Sequence, residues 1–167
     1  MNPSEEEKIA LEHEAARLFM RNWEKLHGVP LRHIWHNKPS KPDVSCFLDG
    51  ERLDLEIAHL YGNEAEAMAI LGRDLSPETH RALAELAQEN ADRRLLTALN
   101  RILSAKALKR YHSRRVWLVV RNANPHWSRK DIEELQHHID VPGGHPFEQI
   151  WMVADMKADS GIIQLHP

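Results

Sequence analysis

Two stretches of alternating apolar and polar residues meet at Asp49-Gly50. Asp-Gly between such stretches predicts a hairpin, because a two-residue turn of this kind needs positive φ at its centre. The alternation over residues 53–58 is strict, so successive side chains are predicted to point to opposite faces of a strand. One face would carry Leu53, Leu55 and Ile57, and the other would carry Asp54, Glu56 and Ala58.

Helical and strand patterns follow one another along the rest of the chain. Residues 4–26 carry one apolar stripe with helical spacing, and Ser4 precedes it as a capping residue. The patterns predict further helices over 63–72, 76–111 with a break near residue 89, and 128–139, and further strands over 31–36, 116–120, 149–154 and 161–166. The 116–120 strand is apolar throughout and predicted to be buried on both faces, and the last strand is predicted to be an edge strand. The order α-β-β-β-α-α-β-α-β-β predicts an α/β fold with a mixed central β-sheet flanked by helices, as a single domain over residues 1–167.

Composition and charge narrow the function classes. The chain has 167 residues, 42% of them hydrophobic, and no apolar run long enough for a membrane span, so a cytoplasmic protein without a membrane partner is expected. Cys46 is the single cysteine, which excludes an internal disulfide. The net charge is only −3, but residues 93–115 hold eight lysines and arginines and no acid. That run is either a solvated helix face or a phosphate-contacting surface, and charge alone favours the first.

Three acids are predicted to gather at the hairpin. Asp43 follows Pro42 at the start of the first hairpin strand, while Asp54 and Glu56 share one face of the second. Neighbouring carboxylates repel one another unless a cation neutralises them. Clustered hard oxygen ligands suit Mg²⁺ or Mn²⁺, so this group is a candidate metal site.

These residues resemble the motif of the PD-(D/E)XK, or restriction-endonuclease-like, nuclease superfamily. There an Asp follows a Pro at a strand start, and the next strand carries an acid, one residue and usually a lysine; here Pro42-Asp43 and Glu56-Ile57-Ala58 match, with Ala58 in the lysine's place. The resemblance covers roughly residues 5–121. It implies an α-β-β-β-α-β core and Mg²⁺- or Mn²⁺-dependent hydrolysis of nucleic-acid phosphodiesters, with DNA favoured over RNA. The resemblance is also compatible with a homodimer.

The resemblance also assigns roles. Asp43 and Glu56 would hold the metal, and Asp54 is either a further ligand, a group that positions one, or a solvated acid on an open face. Glu12 falls within the apolar stripe of the first helix, where an acid is costly unless it is paired or metal-bound. Glu12 is therefore included as a catalytic residue, the alternative being that it reaches water at the edge of the stripe.

The missing lysine needs a substitute if the site is active. Lys106 lies on the apolar stripe of the long helix and is the first candidate, with Lys109 the second, although such lysines commonly extend to solvent. The twelve histidines, His59 among them, show no convincing metal spacing, and Cys46 is expected in the core. Two alternatives stay open: a catalytically inactive nuclease-fold module that binds nucleic acid or a protein, and an α/β interaction domain without a site.

Overall fold

The computed structural model of the chain describes residues 3–37, 42–61, 77 and 91–167. Its elements are α1 (Pro3–His27), β1 (Leu31–His36), β2 (Val44–Leu48), β3 (Glu51–Leu60), α2 (Ala91–Ala107), β4 (Val116–Asn122), α3 (Arg129–Glu134), a 3₁₀ turn (Gln136–His138), β5 (Gln149–Val153) and β6 (Ile162–His166). The helix predicted over 63–72 lies outside the described residues. Residues 76 and 78–90 of the helix predicted over 76–111 also lie outside them.

The six strands form one sheet in the order β1-β2-β3-β4-β5-β6. Pairing is antiparallel from β1 to β3, parallel from β3 to β5, and antiparallel again between β5 and β6. The predicted α/β class, a mixed sheet flanked by helices, is therefore confirmed, and the last strand lies at an edge as expected. The closer relation to a restriction-endonuclease-like core stays a prediction.

The hairpin turn forms where the sequence predicts it. Asp49 and Gly50 connect β2 to β3, and both have positive φ, 50° and 84°. Asparagine, aspartate and glycine tolerate this left-handed region better than other residues, so the turn costs little here. The turn fixes the register of the two strands, with Leu48 opposite Glu51 and Val44 opposite Leu55.

Two apolar clusters cover the two faces of the sheet. On one face, α1 packs Phe19 and Trp23 against Leu53, Leu55 and Ile57. On the other face, α2 packs its leucines against β4, and the buried members there include Leu95, Leu99, Leu103, Leu118 and Val120. Since side chains alternate along β3, Asp54 and Glu56 lie on the α2 face of the sheet. All seven residues of β4 are buried, as predicted for this strand.

A bulge in β1 changes which side chains face the core. Arg32 pairs with Phe47, but Trp35 pairs with Ser45, so β1 holds one extra residue between these two pairs. His33 has φ 65° and lies within the bulge. An extra residue reverses the alternation, and Trp35 therefore shares the face of Ser45 instead of the α1 face occupied by Leu31.

Two helices end earlier than the sequence predicts. The long helix ends at Ala107 rather than near residue 111, and the Arg110 guanidinium donates to the Ala107 carbonyl at 3.1 Å. The helix that begins after Ser128 has a capping box with Asp131, but it ends at Glu134, before the predicted residue 139, and a 3₁₀ turn follows. No helix among the described residues is long and apolar enough to cross a membrane.

Candidate active site

The structure brings Asp43 and Glu56 together in the sheet. Both side chains are buried, and they lie beside each other, Asp43 directly before β2 and Glu56 on the adjacent β3. The backbone N–H of Asp43 donates to Glu56 Oε1 at 3.3 Å, and Asp43 Oδ2 accepts from the N–H of Ile57 at 2.9 Å. These hydrogen bonds place the two carboxyl groups on neighbouring positions of one sheet face. That they share one metal ion stays a prediction.

Strand register explains this meeting. Val44 is opposite Leu55, so the preceding residue, Asp43, comes opposite Glu56 on the α2 face. Directly opposite residues of an antiparallel pair have Cβ atoms about 5 Å apart. Because the Asp49-Gly50 turn sets this register, a one-residue slip would send the two acids to different faces.

Two donors from outside the sheet meet Glu56. The Lys106 ammonium, near the end of α2, lies 3.2 Å from Glu56 Oε2, and its side chain is 20% exposed. The Tyr111 hydroxyl donates to the same oxygen at 2.8 Å. The proximity of Lys106 to this acid agrees with the sequence prediction, and the other candidate, Lys109, is exposed just beyond the end of the helix.

Electrostatics favour a protonated or cation-bound state of this pair. Burial, and then the neighbouring Asp43, raise the pKa of Glu56, although Lys106 and Tyr111 act in the opposite direction. Burial and the Glu56 charge raise the pKa of Tyr111 as well, so its hydroxyl remains a donor at neutral pH. With both acids ionised, one lysine offsets only one of two negative charges, and a divalent cation would relieve the repulsion.

Asp54 is held by a different set of partners. Its Oδ1 accepts from Ser45 Oγ at 2.6 Å and from Arg52 Nε at 3.0 Å, and its Oδ2 accepts from Ser113 Oγ at 2.5 Å. The side chain is buried, so Asp54 is not the solvated acid that was one alternative. An open hollow of about 780 Å³ lies beside it, lined by Glu51, Arg52, Asp54, His112, Ser113, Arg114 and Arg115.

Glu12 is buried on the opposite side of the sheet. Its Oε2 lies 3.0 Å from Nε2 of His36, and only 6% of the residue is exposed. His36 pairs with Val44, the residue after Asp43, so Glu12 reaches the same end of the hairpin from the α1 face. The alternative that Glu12 reaches water is not what the structure shows, and its catalytic role stays a prediction.

A metal would depend on two acids. Among the described residues, no three histidine, cysteine, aspartate or glutamate side chains gather as a metal-binding group, so neither Asp54 nor Glu12 joins the pair. Mg²⁺ is commonly held by one or two carboxylates, with waters and substrate phosphates completing six ligands. Asp43 and Glu56, two hard ligands at neighbouring positions of one sheet face, fit this requirement.

Sequence reasoning missed some site residues. Tyr111 was placed in the long helix, and no local pattern indicates that it folds back onto an acid 55 positions earlier. Ser113 gives no signal either, because isolated serines occur everywhere in loops. For His59, burial and then the Arg121 charge lower the pKa to about 4, which leaves the imidazole neutral at pH 7.

Comparisons with known proteins add no family assignment: no family model, curated protein or solved structure matches this chain.

Proposed function

We propose that this chain hydrolyses phosphodiester bonds in nucleic acid, with DNA favoured, using Mg²⁺ or Mn²⁺ held by Asp43 and Glu56. The observation that carries the proposal is the convergence of these two buried carboxyl groups with the Lys106 ammonium. The residues come from three separate segments of the chain. Burying two acids costs stability, and such costly arrangements of perturbed acids are typical of functional sites.

Lys106 supplies the positive charge that Ala58, at the motif's lysine position, cannot supply. Phosphodiester hydrolysis builds negative charge on the phosphoryl oxygens, and a fixed cation near them stabilises that charge in the transition state. The ammonium of Lys106 reaches the Glu56 carboxylate from the α2 face, so it supplies this cation from a helix instead of from the strand. A lysine there can also hold an attacking water by hydrogen bonding.

Tyr111 and the backbone orient the acids. The Tyr111 hydroxyl fixes Glu56 Oε2, while the N–H groups of Asp43 and Ile57 fix one oxygen of each carboxyl group. A bound metal ion would polarise the phosphoryl oxygen and lower the pKa of an attacking water. Oriented carboxylates reduce the reorganisation that binding such an ion requires.

One observation favours a second candidate, an inactive module of the same fold that binds nucleic acid or a protein. Lys106 and Tyr111 already satisfy Glu56, and only two acids converge among the described residues. A buried acid pair that already has its own cation can have a purely structural role.

The deciding experiment is a cleavage assay on end-labelled DNA and RNA oligonucleotides and on plasmid, with Mg²⁺, with Mn²⁺ and with a chelator. The proposal expects metal-dependent products from the natural chain and their loss in Glu56→Gln. The matched control is Glu134→Gln, since Glu134 is an exposed acid on α3. Absence of cleavage under every condition would reject the hydrolase and favour the inactive module.

A further inference from the structure

Trp35 is the exposed tryptophan of this chain. All five tryptophans lie within the described residues, and Trp35 is 36% exposed whereas none of the other four exceeds 7%. Large aromatic side chains are normally kept out of water because each buries 150–250 Å² of surface. An exposed one on a sheet face therefore needs a reason.

The bulge in β1 puts this ring outside the core. Without the extra residue, Trp35 would share the α1 face with Leu31, and His36 would take the opposite face. With it, Ile34 packs against the α1 cluster and Trp35 stands opposite Ser45 on the α2 face. Bulges next to functional sites commonly re-aim a side chain in this way.

A second aromatic ring and an arginine lie beside Trp35 on the same face of the sheet. The Phe47 ring centroid lies 5.5 Å from that of Trp35, with an angle of 47° between the planes. The Arg52 guanidinium carbon lies 5.7 Å from the Trp35 ring centroid, and the Arg52 side chain is 58% exposed. We call the surface formed by Trp35, Phe47 and Arg52 the platform.

The platform is continuous with the candidate active site. Ser45, the strand partner of Trp35, donates to Asp54, which Arg52 also contacts. Glu56 follows Asp54 on the same face of β3, about 7 Å further along the strand. A chain lying on the platform would therefore run along the sheet towards the Asp43–Glu56 pair, whose own side chains are buried.

Positive charge borders the same surface. The hollow beside Asp54 is lined by Arg52 and Arg114, and Arg114 is exposed without an ion pair among the described residues. Arg115, in the same hollow, is paired with Glu51 and Glu148, and Arg52 is paired with Asp54 at 3.0 Å. Exposed guanidinium groups next to aromatic rings suit an anionic chain of planar groups, since the rings stack on bases and the cations meet phosphates.

We propose that the platform stacks the bases of single-stranded nucleic acid, DNA or RNA, whose backbone then passes the Asp43–Glu56 pair. The proposal rests on the proposed function and names its substrate class. Single strands fit because their bases are free to stack on a protein ring, whereas duplex bases are stacked on one another. The exposed positive charge of Arg114, which has no ion pair among the described residues, favours this anionic occupant over an apolar protein segment.

The test measures binding without cleavage, in a chelator. Fluorescence anisotropy gives the affinities of labelled single-stranded DNA, single-stranded RNA and duplex DNA, and tryptophan emission reports contact with Trp35. Single strands are expected to bind more tightly than duplex and to quench the emission. Trp35→Ala should weaken single-strand binding about tenfold or more, while Trp35→Phe should retain most of it. The control is Leu108→Ala, because Leu108 is an apolar side chain that is 82% exposed and is not part of the platform.

The outcomes separate the two proposals. Single-strand binding that survives Glu56→Gln but is lost in Trp35→Ala supports the platform, whether or not the chain cleaves. Equal affinities of the natural chain and Trp35→Ala, or tighter binding of duplex, would overturn the platform and leave the hydrolase proposal standing. Absence of nucleic-acid binding together with a protein that protects Trp35 from acrylamide quenching would overturn it in favour of a protein interface.

Discussion

Replacing Lys106 with methionine should destabilise the fold in a way that depends on pH. The change keeps most of the apolar stem and removes the ammonium that pairs with Glu56 at 3.2 Å. Glu56 is 1% exposed in its side chain and stays beside Asp43, so the variant leaves buried acids without their cation.

The size of the expected loss in unfolding free energy depends on how deeply the pair is buried and on whether Glu56 is protonated. Removing one partner of a fully buried ion pair costs about 3–5 kcal/mol. Lys106 is 20% exposed, and Glu56 can take up a proton instead of remaining charged, so we expect about 1–3 kcal/mol at pH 8. The folded-state pKa of Glu56 is raised, so its ionisation lowers stability as pH rises from the unfolded pKa through the folded one. Removing Lys106 raises the folded pKa further, so the deficit of the variant should shrink towards pH 5.

Urea unfolding followed by circular dichroism at pH 5 and pH 8 measures this difference. The matched control is Lys109→Met, an exposed lysine one turn further along the chain, for which we expect a change within about 0.5 kcal/mol. In a Glu56→Gln background, Lys106→Met should cost much less, because the buried charge is gone. An equal loss at both pH values, or an unchanged loss in the Glu56→Gln background, would refute the reasoning.

Four further predictions follow from the structure. The pKa of Glu56 is raised, so protons compete with a metal ion for its carboxylate. The Mg²⁺ affinity measured by calorimetry should therefore rise with pH, and binding should release a proton; a pH-independent affinity would contradict this. Phe19→Ala should lower the unfolding free energy by about 3–5 kcal/mol, since the ring is fully buried between two tryptophans, and a loss below 1 kcal/mol would contradict that packing. The pKa of His59 is lowered to about 4 in the folded state, so the unfolded chain takes up a proton first and the unfolding free energy should fall by up to ~3 kcal/mol between about pH 6.5 and pH 4. In His59→Gln, stability measured by urea unfolding should change less with pH over this range, and an unchanged slope would contradict this. Neutralising Arg101 and Lys109 should reduce the salt dependence of nucleic-acid binding, whereas an unchanged slope of log K against log salt would exclude the basic run over residues 93–115 as a contact surface.

Local signals predicted the elements that build the site. The Asp49-Gly50 turn and the alternation over residues 53–58 determine which strand face is acidic, because both depend only on neighbouring residues. Lys106 was predictable because helical spacing places it on the inward stripe of α2. The opposition of Asp43 and Glu56 follows from the turn length alone.

Other features depend on contacts that no local pattern encodes. The bulge at His33 reverses the alternation of β1, and nothing in its sequence distinguishes a bulged strand from a regular one. Tyr111 lies beyond the end of α2, where the chain turns back to a strand 55 residues earlier. Glu12 was expected among the site acids, but its helix packs on the face of the sheet opposite to Glu56 and its partner is His36.

The most direct test of the proposed metal site is a crystal of the natural chain soaked in Mn²⁺ and measured at a wavelength where manganese scatters anomalously. The site we propose predicts one strong anomalous peak about 2.1 Å from an oxygen of Asp43 and an oxygen of Glu56. The peak should be absent in Glu56→Gln crystals treated alike. A saturating Mn²⁺ soak that gives no peak between these carboxylates, or a peak held by other residues alone, would contradict it.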